Sequence, residues 1–246
     1  MRLIALIVAL LAAASTASAA EVRILSGGAV QPGLEVLAQT FKARTGNTVT
    51  LVYATAAELS VKVMSGERFD LLVAPVDVVD KAVDAHKVTG PPVVVGGVGV
   101  SAVVRRGAPH PDVATVEALK LAVLAAKTVV YNRGSTGVYM EKAIARLGVA
   151  DQIAARSVRP LSADEVMTRL QAGDGPELGF AATTVIQAAI DRGAKLDLVA
   201  DLPAELQNIT VYSAARFADA KPEAAAFCAL LASPEGKAAM VAKGVK

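Results

Sequence analysis

The chain has 246 residues with 25 Lys and Arg against 23 Asp and Glu; it is 54% hydrophobic but only 4% aromatic, without Trp. Balanced charge leaves no footprint for nucleic acid or another polyanion, and the scarcity of rings removes the stacking platforms that single strands and sugars need. The lone cysteine, Cys228, sits in an apolar run, so an internal disulfide is impossible and stability has to come from packing.

Arg2 precedes an apolar run that ends at Ala14, and Ala17-Ser18-Ala19 follows with the small-residue spacing of a secretory cleavage site. The run is too short to span a bilayer, so residues 1–19 are expected to be a cleaved signal peptide and the mature protein a soluble periplasmic one. No Cys follows the cut to carry a lipid.

Residues 22–25 read as a strand that runs into Ser26-Gly27-Gly28-Ala29 and then into a helix with Leu34, Leu37, Ala38 and Phe41 on one face, stopped at Gly46. The unit recurs. Residues 48–53 alternate as a strand, Ala54-Thr55-Ala56-Ala57 is the turn, and residues 58–65 form a helix with Leu59 and Val63 inward. Residues 69–74, apolar but for Asp70, read as a strand covered on both faces of a parallel sheet. Gly90-Pro91-Pro92 breaks the pattern. The long apolar run 93–104, interrupted by Gly96, Gly97 and Gly99, suits a segment that leaves one sheet for another, with glycines for a hinge.

After a helix over 115–126 comes a strand at 128–131, then Asn132-Arg133-Gly134 and a helix that opens on Ser135-Thr136-Gly137 and stops at Gly148. Backbone N–H groups, two hydroxyls and the positive end of a helix dipole meet there, which is an anion-binding device with no catalytic group, or a plain helix cap. Residues 155–160 read as a strand bearing Arg156 and Arg159, Ser162 to Glu165 as a capping box, and 179–182 as a strand ending in Thr183-Thr184. Residues 197–200 and 209–213 are the last strands, the second a return crossing, and helices over 222–232 and 234–242 close the chain. Strands alternating with helices predict an α/β fold with parallel sheets.

His86 and His110 are isolated, and no metal-ligand, nucleophile-elbow or P-loop spacing occurs. Asp77/Asp80 and Asp164/Glu165 fall at helix starts, where carboxylates complement the dipole, and Asp70 reads as a structural acceptor. No metal, cofactor or enzymatic activity is expected.

SGGA, YATAAELSVKVMSGERFDLLVAP, YNRGSTGVY, ELGFAATT and FCALLASPEGKAAMVAKG together resemble the exported molybdate-binding proteins of ABC transporters, over nearly the whole mature chain. The resemblance implies a type II periplasmic-binding-protein architecture. Each of its two lobes is a mainly parallel sheet flanked by helices, and two crossover strands join them. Residues 20–97 and 206–246 would form one lobe and 98–205 the other. It implies a ligand site at the turns, at Ser26, Gly27, Gly28 and Ala29, at Thr55 and Ala56, at Ser135, Thr136 and Gly137, and at Ala182 and Thr183, and Arg133 in the same turn as Ser135 is added for its guanidinium.

The chain departs from that family where hydroxyls are expected. Ala29 takes the place of a serine, the serine-rich second turn retains only Thr55, and the late tyrosine falls on Ala182. A tetrahedral oxyanion in a dry cleft would lose partners by these changes. The expected ligand is therefore a small organic carboxylate, paired bidentately with Arg133 and delivered by a monomer to an inner-membrane ABC permease. Molybdate or tungstate is the alternative ligand, and a periplasmic sensing module for a receptor the alternative role. An enzyme on the same architecture is disfavoured, because the turns carry donors and no nucleophile with a base.

Overall fold

Residues 19–246 are described by the computed structural model; the expected signal peptide lies outside them except for its last residue. β1 (Glu21–Gly27) passes through a short 3-10 turn into α1 (Gln31–Thr45), which ends on Gly46 in the left-handed region, φ 75°. Then come β2 (Thr48–Ala54), α2 (Ala56–Ser65), β3 (Leu71–Pro75), α3 (Val76–Asp84) and β4 (Val88–Val98). The chain crosses through Gly99 into β5 (Val100–Arg105), α4 (Val116–Ala125), β6 (Thr128–Tyr131), α5 (Ser135–Arg146), α6 (Ala150–Ile153), β7 (Ser157–Val158) and α7 (Ala163–Ala172). β8 (Glu177–Ala182), α8 (Thr183–Asp191) and β9 (Leu196–Asp201) follow, and a second crossing leads to β10 (Thr210–Phe217), α9 (Pro222–Ala232) and α10 (Pro234–Val241).

These strands build two five-stranded sheets, in the orders β2-β1-β3-β10-β4 and β7-β6-β8-β5-β9. β10 is antiparallel to both its neighbours and β5 to both of its own, while the remaining pairs are parallel. The reversed strand in each sheet is thus the one that has just arrived from the other sheet. The other strands point their carboxyl ends at the space between the lobes, so a strand entering from that space has to run the opposite way.

Burial follows the sequence patterns. Every residue of β3 is buried, as expected for a strand covered on both faces. Leu34, Leu37 and Phe41 of α1 pack against the first sheet, with Phe41 edge-on to Phe227 of α9 at 5.4 Å between centroids. Asp70, 6% exposed, accepts the N–H groups of Arg23 at 2.8 Å and Lys221 at 3.0 Å and so ties β1, the entry to β3 and the start of α9 together.

Two expectations need correction. Gly90-Pro91-Pro92 does not interrupt a strand but lies within β4, an edge strand, where a missing N–H is tolerated. The strand expected over 155–160 shrinks to Ser157–Val158, because the chain turns through a 3-10 segment at Ala154–Arg156. The turn aims the Arg156 guanidinium at the carbonyls of Val123, Leu124 and Ala126, which caps the C-terminus of α4.

The two crossings are laced together. Gln207 exchanges hydrogen bonds with the Val100 backbone at 2.8 and 3.0 Å, and Gly97 exchanges two with Lys246 at 2.7 and 2.8 Å. Ser101 donates to Asp201 at 2.5 Å, and Lys246 Nζ lies 2.9 Å from the same carboxylate.

Candidate functional site

A cleft of about 260 Å³ lies between the sheets, walled by strand-to-helix junctions from both lobes. The first lobe contributes Gly27, Gly28 and Ala29 between β1 and α1, Tyr53 to Ala56 between β2 and α2, and Pro75 between β3 and α3. The second contributes Asn132, Gly134, Ser135 and Thr136 between β6 and α5, Leu161 to Asp164 ahead of α7, and Ala182 between β8 and α8. Tyr212 of β10 completes the wall. This is the carboxyl-end position at which open α/β sheets hold ligands, and each junction turns a helix N-terminus toward it.

The helix starts differ in what they leave available. Thr55 caps α2: its hydroxyl takes the Glu58 N–H at 3.4 Å, and the Glu58 carboxylate in return accepts the Thr55 N–H and hydroxyl, both at 2.8 Å. That reciprocal box holds the exposed Glu58 carboxyl below its usual range, chiefly through the Thr55 N–H. Ser162 caps α7 by accepting the Glu165 N–H at 3.1 Å. α3, α5 and α8 begin on Pro75, Gly134 and Ala182 with no side-chain cap. At α5 the third N–H, that of Gly137, goes to Asn132 Oδ1 at 3.0 Å, and the N–H groups of Ser135 and Thr136 remain uncapped at the cleft wall.

Glycine is required at two of these places. A Cβ on Gly137 would lie 1.6 Å from the Asn132 carbonyl oxygen, and one on Gly27 would lie 2.9 Å from Cε1 of Tyr212. Only backbone without a side chain lets α5 and the Tyr212 ring approach the cleft this closely.

Two tyrosines shape the electrostatics. Burial, with the charge of Glu35 added, pushes the Tyr53 phenol well above the ordinary tyrosine range, and its hydroxyl is buried without a partner. Tyr212 is 3% exposed; burial pushes it up to about 12, Asp77 adding to the rise and a bond with Ser135 opposing it. Among the lining residues Arg192 is the one cation, at the rim, exposed and 3.5 Å from the equally exposed Asp164.

Of the residues expected from sequence, Gly27, Gly28, Ala29, Thr55, Ala56, Ser135, Thr136 and Ala182 line the cleft. Ser26, Arg133, Gly137 and Thr183 do not. Ser26 is wholly buried and spends its hydroxyl on the Gly27 carbonyl at 3.1 Å. Arg133 is turned outward, its N–H on the Pro160 carbonyl and its Nε on the Arg159 carbonyl, both at 2.9 Å, so the bidentate grip expected of it does not form in the cleft. Gly137 is packed against Asn132, and Thr183 belongs to the crossing, 2.6 Å from Ser101 and 3.3 Å from Asp201. Tyr53, Tyr212, Asn132 and the segment Leu161 to Asp164 line the cleft without having been singled out for it; the capping box at Ser162 was the signal for the last of these.

Residues 22–246 match the family model described as bacterial extracellular solute-binding protein. The aconitate isomerase of a Pseudomonas species is 26% identical over 231 residues, which cover 91% of this chain and 86% of that protein. The periplasmic molybdate-binding protein of Azotobacter vinelandii superposes with a TM-score of 0.74 at 19% identity, over 92% of this chain and 98% of that one. The sulfate-binding protein SubI of Mycobacterium tuberculosis H37Rv superposes with a TM-score of 0.72 at 17% identity, over 92% and 86%. At such identities the two structures establish a shared fold.

Proposed function

We infer that this chain, which belongs to the family of bacterial extracellular solute-binding proteins, captures a small organic carboxylate in the cleft between its lobes and hands it to the permease of an ABC transporter. A periplasmic location and the division of the chain into lobes at residues 20–97, 98–205 and 206–246 belong to the same reading. The observation that carries it is the meeting of uncapped helix N-termini at a wall whose side chains are mostly small and apolar. Each such terminus offers free N–H donors and about half a positive charge, worth roughly 0.3 to 2 kcal/mol to an anion.

The ligand class follows from the rest of the lining. Ala29, Ala54, Ala56, Ala182, Val185 and Ala188 give no hydrogen bonds to the several oxygens of a tetrahedral anion, but they accommodate a hydrocarbon body attached to a carboxylate. The relative named an aconitate isomerase acts, by that name, on a carboxylate, which supports the same class. Its isomerase chemistry is not carried over.

Titration calorimetry with aconitate, citrate, malate and succinate, alongside molybdate, tungstate and sulfate, tests the reading. A carboxylate should bind at micromolar concentration or tighter and shrink the radius of gyration in solution scattering as the lobes close. Submicromolar molybdate binding with no carboxylate taken up would restore the oxyanion alternative.

A further inference from the structure

Tyr212 sits where the two lobes and the cleft meet. It lies on β10, the strand that enters the first sheet from the second lobe, and it is the only residue of that strand at the cleft wall among the described residues. The residue is 3% exposed and its ring is wedged against the bare Cα of Gly27, with the hydroxyl 3.6 Å from where a Gly27 Cβ would stand. Its hydroxyl lies against the side chain of Ser135, the first residue of uncapped α5, so the two lobes already touch at this point of the cleft. Unlike the Tyr53 hydroxyl, which is shut away from solvent, the Tyr212 hydroxyl is not sealed without a partner.

We propose that Tyr212 is the specificity-determining donor of this cleft: its hydroxyl and the first turn of α5 together hold one ligand oxygen, one from each lobe. The inference rests on the solute-binding reading above and adds the residue that joins ligand uptake to lobe closure. The chemistry is one-sided. Burial and the nearby Asp77 keep the phenol protonated throughout the neutral range, so it has a proton to donate, and the helix start beside it adds backbone N–H donors and hydroxyls that can donate as well. An acceptor oxygen with negative charge satisfies both. An amide nitrogen in the same place would set its N–H against the backbone N–H groups of α5, donor against donor, and sites built on hydrogen bonds reject such analogues strongly. Because β10 and α5 belong to different sheets, an oxygen held by both favours the closed arrangement over the open one.

Tyr212→Phe keeps the ring on Gly27 and removes only the hydroxyl. Calorimetry on the wild type and the variant uses aconitate, citrate, malate, succinate and molybdate as probes. Whichever probe the wild type binds should be weakened about tenfold to a hundredfold, the range for a hydrogen bond to a charged acceptor, while the melting temperature of the ligand-free protein stays close to that of the wild type. Ser135→Ala should weaken the same probe at least threefold, and the double variant should lose less than the product of the two losses. A carboxylate bound equally well, within twofold, by Tyr212→Phe overturns the role of Tyr212 and leaves the carboxylate reading standing. Molybdate alone bound, and weakened in the variant, overturns the carboxylate and keeps Tyr212. No probe bound by the wild type overturns both. Should Tyr212→Phe fail to fold, Ser135→Ala with unchanged affinity is the overturning result.

Discussion

Tyr53→Phe should make the protein more stable. The hydroxyl of Tyr53 is buried with no hydrogen-bond partner, and the exposed carboxylate of Glu35 disfavours any charge on it. An orphaned buried polar atom costs about 1 to 3 kcal/mol of desolvation, and phenylalanine leaves the ring and its packing in place. For a chain of this size each kcal/mol moves the melting temperature by about 2 to 4 °C, so a rise of about 2 to 12 °C is expected at neutral pH. The sign of the pH dependence is also fixed. Folding raises the phenol pKa, so the contribution of the protonated group is complete below the unfolded value near 10 and is lost as pH rises beyond it. Wild-type melts should therefore fall away above about pH 10 faster than those of the variant, Tyr212 contributing equally to both. Calorimetric melts at pH 7 and pH 10.5 decide. A lower melting temperature for Tyr53→Phe at pH 7 would mean that the hydroxyl has a partner, and the reasoning would be wrong.

Three further outcomes are expected. Gly137→Ala puts a methyl group 1.6 Å from the Asn132 carbonyl, so about 3 kcal/mol or more of stability should be lost in urea melts; a loss under 1 kcal/mol would show that α5 can slide. Asp201 is held below its usual range although burial opposes ionisation, because bonds from Ser101, Lys246 and Thr183 outweigh it. Its contribution is therefore present above pH 4 and lost below, and since its side chain is 41% exposed, Asp201→Asn should cost only about 0.5 to 1 kcal/mol at pH 7 and flatten the acid limb; an unchanged acid limb would refute this. Arg133→Ala should leave affinity for any bound probe within about twofold, since the guanidinium lies on the Arg159 carbonyl outside the cleft, and a tenfold loss would put it back.

The elements were readable because their signals are local. Gly46, Gly66 and Gly148 stop helices in the left-handed region, Ser162 and Ser233 cap them, and the apolar run of β3 shows its double burial directly. The crossing was legible for the same reason, as one apolar run too long for one sheet, divided at Gly99 into β4 and β5. Side-chain direction was not legible. Ser26 and Gly27 are neighbours in β1, and alternation alone sends one inward and exposes the other to the cleft. Arg133 stands one residue from the cleft-lining Asn132 and Gly134, but the carbonyls of Arg159 and Pro160, distant in sequence, draw it outward. Tyr212 read as part of a return crossing, and only the three-dimensional approach of β10 to Gly27 brings it to the site.

The placement of β10 also dictates an order of assembly. All strands of the second sheet come from one uninterrupted stretch between Val100 and Asp201, so that sheet needs no strand from the rest of the chain to close. The first sheet does, because β10 lies between β3 and β4, and the bond from Lys221 to Asp70 spans 151 residues. Until the C-terminal portion arrives, β3 presents a fully apolar, unpaired edge, the kind of surface that invites wrong pairing. Bringing β10 home closes the longest loop in the first sheet, and a chain cut before β10 would lack the strand that joins β3 to β4.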